Sequence, residues 1–270
     1  MDLVKVTGDG WGMKNGFGWR GIMYVMASAL SGLMVAGLFS PFRFSVLAWV
    51  AMMPLLWVLL AVCGKRAGWK GFGIGYMGGA VSSLIQFHWL ESVSWLAAIM
   101  LPLYLAIYWG LFGVFVTKFS PKCGNPRAVL KAGFCYGAVW AGLEFLRGWL
   151  FTGFGWNGLG GLSFFLIFFQ TVVLLAGREL IRGKSRTRWD LGVAVLAVLT
   201  LFGYGKLRIA NEATAESLRL KALLVQLNIP QHGGQVLWTD LETHQGYEEE
   251  TLKALGDIKS SDSENSLRWP

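Results

Sequence analysis

Apolar residues gather into seven long runs, at 22–39, 44–62, 71–90, 95–116, 129–146, 162–176 and 191–204. A helix needs about 20 predominantly apolar residues to cross a hydrocarbon core about 30 Å thick. Most of the runs reach that length; the sixth and seventh are shorter. The pattern predicts a polar, glycine-rich arm at 1–20 and a multi-span α-helical membrane bundle of seven helices over 21–205. A separate, more polar segment follows at 206–270. Within it, apolar/polar alternation passing into a continuous apolar run predicts a strand at 218–231, ending at Pro230-Gln231. Leu241, Tyr247, Leu252, Leu255 and Ile258 mark one side of a helix over 240–258. Residues 259–265 read as a serine-rich turn, and 267–270 as the opening of a second strand.

Charge adds orientation. Lys5, Lys14 and Arg20 precede the first run; Lys65, Arg66 and Lys70 follow the second. Lys118, Lys122, Arg127 and Lys131 follow the fourth, and Arg178, Arg182, Lys184, Arg186 and Arg188 follow the sixth. The intervening gaps hold only Arg43, then none, then Arg147. Basic residues stay on the cytoplasmic side. The N-terminus is therefore expected inside, and everything beyond Tyr204 outside. The first run lacks a small-x-small cleavage site and is expected to be retained. The net charge of +8 does not indicate nucleic acid, because the basic residues lie in loops between spans. The most basic stretch, 182–188, reads as a solvated inner loop, or as a contact for anionic headgroups. Composition agrees with a membrane protein: 54% hydrophobic, 15% charged, mean hydropathy +0.48.

Individual residues then sharpen the picture. Gly71, Gly75, Gly79 and Ser83 share one helix face and predict close helix packing, not a phosphate loop. Trp95 fits an interfacial belt, whereas Tyr104, Tyr108 and Trp109 lie deeper and are expected between helices. Cys63, Cys123 and Cys135 read as small packing residues with no disulfide. Gln86, His88 and Glu91 near one span end have no metal-ligand spacing, so no metal or other cofactor is assigned. Glu144 and Arg147, three apart, can pair on one face. An acid near hydrocarbon is costly unless paired. The two residues read as an ion pair pinning the helix end and, compatibly, as an anchor for a lipid headgroup.

Three stretches carry a resemblance. Ser40-Pro41-Phe42-Arg43-Phe44 leads to Leu47-Ala48-Trp49. Glu144-Phe145-Leu146-Arg147-Gly148-Trp149-Leu150-Phe151-Thr152-Gly153-Phe154 closes the fifth run. Val225-Gln226-Leu227-Asn228-Ile229-Pro230-Gln231 is followed by Trp238. Together they resemble the apolipoprotein N-acyltransferases, bacterial inner-membrane enzymes. The resemblance implies that 206–270 is the periplasmic start of an α/β nitrilase-like domain, an α-β-β-α sandwich. It implies transfer of an acyl chain from phospholipid to the N-terminal diacylglyceryl-cysteine of a lipoprotein. A glutamate base, a cysteine nucleophile and an oxyanion-stabilising lysine would do the chemistry. By the same resemblance Trp238 stands near the acyl donor; its other reading is packing under a loop. The family's catalytic glutamate directly follows a Trp-Pro pair like Trp269-Pro270, and its lysine and cysteine lie further on. No catalytic residue is therefore assigned within 1–270, and this chain by itself is expected to be truncated and inactive. It also lacks a stretch that family members carry between the positions of Gly160 and Gly161, and Arg268 stands where an apolar residue is usual. A non-catalytic lipid-binding scaffold remains an alternative. A transporter is the weaker one, since few ionisable residues line the spans.

Overall fold

A computed structural model describes residues 18–39, 41–121, 124–150, 153, 155, 160–183, 187–214, 224–227, 231–232, 235–236 and 238–266. The chain divides into two compact units. One comprises Met1–Gln86 with Pro102–Val195, the other Phe87–Leu101 with Leu196–Pro270. The helices are α1 (Trp19–Ala36), α2 (Met53–Ala61), α3 (Ala67–Gln86), α4 (Trp95–Lys118), α5 (Pro126–Arg147), α6 (Gly161–Ile181), α7 (Trp189–Thr214) and α8 (Asp240–Ser266). Five are long and apolar enough to cross a membrane, among the described residues: α1, α4, α5, α6 and Trp189–Asn211 of α7. All seven apolar runs are helical, but the second and third depart from simple spans. The third, α3, reaches 20 residues yet is diluted by glycine.

The second run is broken. It begins as a 3-10 turn, Ser45–Trp49, and resumes as the nine-residue α2. Pro54, in the first turn of α2, cannot donate a backbone hydrogen bond, so a continuous helix is interrupted there. In hydrocarbon the freed backbone groups need partners from the protein. Gln170 of α6 supplies two. Its Oε1 accepts from the Met52 amide at 2.8 Å, and its Nε2 donates to the Ala48 carbonyl at 3.0 Å. Ser31 Oγ of α1 accepts from the Leu55 amide at 2.9 Å. Leu55, Leu56, Val58 and Leu59 have no exposed surface, as befits a helix apolar on every side. Ahead of the 3-10 turn, the amides of Phe42 and Arg43 both reach the Phe39 carbonyl at 3.0 Å, closing the expected turn at Pro41.

The glycine face of α3 packs as its spacing predicts. A Cβ at Gly75 would stand 2.2 Å from the Trp109 carbonyl oxygen of α4, and one at Gly71 2.5 Å from that of Gly113. On the other side of α3, Ser28 Oγ of α1 donates to the Ile74 carbonyl at 2.5 Å. Helices α5 and α6 also approach closely: a Cβ at Gly137 would lie 2.7 Å from the Phe164 carbonyl oxygen. Asn125 caps α5, accepting from the Ala128 amide at 2.8 Å, with Pro126 preset for the first turn.

The basic stretch at 182–188 is not wholly a solvated loop. Arg188 is buried: its Nη2 meets Asp190 Oδ2 at 2.5 Å and its Nη1 donates to the Gly124 carbonyl at 2.7 Å. Asp190, fully buried at the start of α7, draws the guanidinium inward. Arg182 remains half exposed and pairs with Glu179 at 3.2 Å. Cys63 is exposed and Cys135 half-buried, both as free thiols; Cys123 lies outside the described residues.

In the second unit, β1 (Gln231–His232) pairs antiparallel with β2 (Gln235–Val236) ahead of α8. Thr239 and Glu242 begin α8 with reciprocal hydrogen bonds. The Thr239 amide donates to Glu242 Oε2 at 2.7 Å, and the Glu242 amide to Thr239 Oγ1 at 3.3 Å. The helix expected at 240–258 is present but does not stop there. Residues 259–265 continue it, because no glycine or proline interrupts and serine costs a helix little. Most of the strand expected at 218–231 lies outside the described residues. Within it, 224–227 belong to no regular element and Leu224 is 92% exposed, since no described segment pairs with its backbone. The α-β-β-α sandwich is not seen among the described residues, and the second strand at 267–270 lies outside them.

Candidate functional site

A small pocket opens between α4 and α5, lined by Tyr108, Trp109, Trp140, Leu143, Glu144 and Arg147. Its enclosed space is about 10 Å³, room for about one water molecule. Its apolar wall is an aromatic stack. The Trp140 ring meets Trp109 edge-on with centroids 5.2 Å apart, and Phe112 at 5.0 Å. Edge-to-face contacts of this kind favour fixed ring orientations. Trp140 also makes a polar contact, its Nε1 donating to Glu144 Oε1 at 3.1 Å. The two residues are four apart on α5, so one helix face sets the geometry.

From α6 and the residue before it, Ser163 and Gly160 stand beside the Glu144 carboxyl. Its second oxygen, Oε2, is buried and receives no hydrogen bond among the described residues. On the α4 side, the Tyr104 and Tyr108 hydroxyls lie 2.5 Å apart. Both are near enough to feel the charge of the Arg147 guanidinium. The pocket thus combines a cation, hydroxyl groups and a carboxylate with two indoles and a leucine. Such a mixture suits the junction of a polar head with hydrocarbon.

Glu144 and Arg147, both singled out in the sequence, come together here. Trp238 is not among the lining residues. It is half-buried in the other unit, where a Cβ at Gly246 would lie 3.0 Å from its ring and 3.1 Å from Leu227 Cδ1. Tyr108 was legible only as a helix-packing aromatic, and Trp140 was not singled out. Their signal was spacing: Tyr104 with Tyr108, and Trp140 with Glu144, each stand four residues apart. No cluster of three or more metal-ligating side chains occurs among the described residues.

Span-length apolar helices, packed through glycine faces around a broken inner helix, define a multi-pass helical membrane protein with a charged pocket inside its bundle. Residues 31–177, which contain every residue lining the pocket, match the family model of the apolipoprotein N-acyltransferase N-terminal domain. The chain belongs to that family. It is 32% identical over 152 residues to the apolipoprotein N-acyltransferase of Chromobacterium violaceum, covering 52% of this chain and 28% of the relative. The Haemophilus influenzae protein of the same name is 27% identical over 237 residues, 77% of this chain and 43% of the relative. That of Vibrio parahaemolyticus is 34% identical over 142 residues, 50% of this chain and 27% of the relative. The chain therefore spans less than half the length of these curated relatives.

Proposed function

We propose that this chain forms the membrane domain of a lipoprotein N-acyltransferase in the bacterial inner membrane. The reaction moves an acyl chain from phospholipid to the N-terminal amine of a diacylglyceryl-cysteine. Both substrates are amphiphiles, so the spans hold the reacting groups at the bilayer surface. Alternating basic loops support a cytoplasmic N-terminus and a periplasmic segment after Tyr204. In this reading 206–270 opens the nitrilase-like domain that carries the chemistry. Glu144 and Arg147 bind the head of a lipid substrate, and Trp238 contacts the acyl donor. The match of 31–177 to the family's N-terminal domain is the observation that carries the proposal.

A chimaera tests it. The membrane domain of the Haemophilus influenzae relative is replaced by residues 21–205, and acyl transfer to a synthetic diacylated lipopeptide is followed by mass spectrometry. Transfer is expected. A folded, membrane-inserted chimaera with no transfer would count against the assignment. The unfused 1–270 chain is expected to form no thioester with phospholipid at Cys63, Cys123 or Cys135.

A further inference from the structure

Cations and indoles collect where α3 begins and α4 ends, and no acid accompanies them. The close contacts of Gly71 with Gly113 and of Gly75 with Trp109 run in opposite directions along the two helices, so the start of α3 lies beside the end of α4. There a Cβ at Gly68 would stand 3.1 Å from Lys118 Cε, which sets the Lys118 stem across the first turn of α3. Arg66, Trp69 and Lys70 flank that glycine, and Lys65 precedes them; all four are exposed, Trp69 by 80%. Helix α1 adds Trp19 and Arg20 at the same end. The Ser28–Ile74 hydrogen bond and the Gly32–Gly78 contact both join residues 46 apart, so α1 and α3 run parallel and Arg20 is level with Arg66.

Between residues 10 and 143 the only acid is Glu91, which follows the far end of α3. Arg20, Lys65, Arg66, Lys70 and Lys118 take part in none of the ion pairs among the described residues. The cationic stretch where α6 ends and α7 begins differs, since Arg182 is paired with Glu179 and Arg188 with Asp190. Uncompensated positive charge at the end of a membrane span meets headgroups, and exposed indoles favour the same depth. We propose that this end of the bundle holds an anionic phospholipid, with its phosphodiester on Arg66, Lys70 and Lys118 and the junction of its glycerol and acyl chains against Trp69. Net negative charge is what the cluster recognises. A zwitterionic headgroup carries its own cation beside the phosphate and gains less from the cluster. Lys118 stands ten residues beyond Tyr108 on α4, about 15 Å along the helix. The surface is therefore separate from the pocket between α4 and α5, and it holds whether or not that pocket binds a substrate lipid.

The test incubates the 270-residue chain in detergent with an equimolar mixture of phosphatidylglycerol, phosphatidylethanolamine and phosphatidylcholine of identical acyl chains. Native mass spectrometry reads the retained lipid. Phosphatidylglycerol is expected to exceed each of the other two by about tenfold, the factor that one or two cation contacts with an anionic headgroup supply. Arg66→Gln, Lys70→Gln and Lys118→Gln together are expected to abolish most of that preference. Arg127→Gln, Lys131→Gln and Arg178→Gln together remove the same number of exposed charges where α5 begins and α6 ends, and are expected to leave the preference intact. Circular dichroism and size-exclusion profiles matching the unaltered chain show that both variants are folded. Equal retention of the three lipids by the unaltered chain would overturn the proposal. Equal loss of preference in the two triple variants would overturn it too, because net charge rather than this cluster would then set the preference. Stripping of phosphatidylglycerol by inorganic phosphate, but not by chloride at the same ionic strength, would reassign the surface to a free anion and likewise overturn it.

Discussion

The Gln170 side chain accepts the Met52 amide at 2.8 Å and returns a hydrogen bond to the Ala48 carbonyl at 3.0 Å, bridging both sides of a break in the second helical run. Gln170 is 1% exposed, so its polar groups have no water to turn to. It serves as a plug for the backbone groups freed near Pro54. Replacing it with methionine conserves volume and removes only the hydrogen bonds. Two backbone groups are then left buried without partners, at about 1–3 kcal/mol each. Gln170→Met is expected to lower the thermal unfolding midpoint in detergent markedly. An unchanged midpoint would show that the break is held by apolar packing alone.

The α3–α4 contact depends on the absence of side chains. A methyl group at Gly75 would overlap the Trp109 carbonyl, which is backbone and cannot swing aside. Gly73, two residues away on another face, has open space where a Cβ would stand, with nothing within 4 Å. Overpacking at a tight interface costs about 1–3 kcal/mol. Gly75→Ala is expected to destabilise the bundle by that amount, and Gly73→Ala to leave it unchanged or slightly firmer. Melting curves of the two variants make the comparison; equal losses at both positions would mean that the close approach of Trp109 is not what sets the need for glycine at Gly75.

Much of this fold was legible because hydrocarbon makes length and apolarity decisive. Every apolar run became helical, and the four-residue glycine spacing named the correct packing face. What escaped was polar detail whose partner lies far along the chain. Gln170 is 118 residues from Met52, and no local pattern joins them. The break in 44–62 was hidden because Pro54 sits among leucines that read as one continuous span. Arg188 looked like one more loop cation, since nothing in its neighbourhood revealed that the Gly124 carbonyl would close over it. Within the pocket, Glu144 and Arg147 were visible as charges in an apolar setting. Trp140 and Tyr108 gained their roles only through geometry.

Arg188 and Asp190 form a buried ion pair where α7 begins, with side chains 7% and 0% exposed. Removing one partner strands the other charge, at about 3–5 kcal/mol, whereas replacing both with apolar residues is often nearly neutral. Arg188→Met is expected to destabilise strongly, and Arg188→Met combined with Asp190→Leu to recover most of the loss. A double-mutant cycle on unfolding midpoints measures the coupling. If the double variant loses as much as the two single variants together, the pair contributes through packing rather than charge.

Glu242 gives a pH-dependent prediction at the start of α8. The Thr239 amide, and next the Thr239 hydroxyl, hold its carboxyl below the usual glutamate range. A depressed value in the folded state means that ionised Glu242 favours the capped helix. The contribution is complete above the ordinary glutamate value of about 4.3 and is lost as pH falls through the lower folded value. The Thr239 amide resonance of the detergent-solubilised chain is expected to move with pH, with its midpoint below that ordinary value. Glu242→Gln, which keeps an acceptor but cannot ionise, is expected to flatten the profile. A midpoint at or above the ordinary value in the unaltered chain would mean that the reciprocal Thr239–Glu242 bonds are not formed in solution.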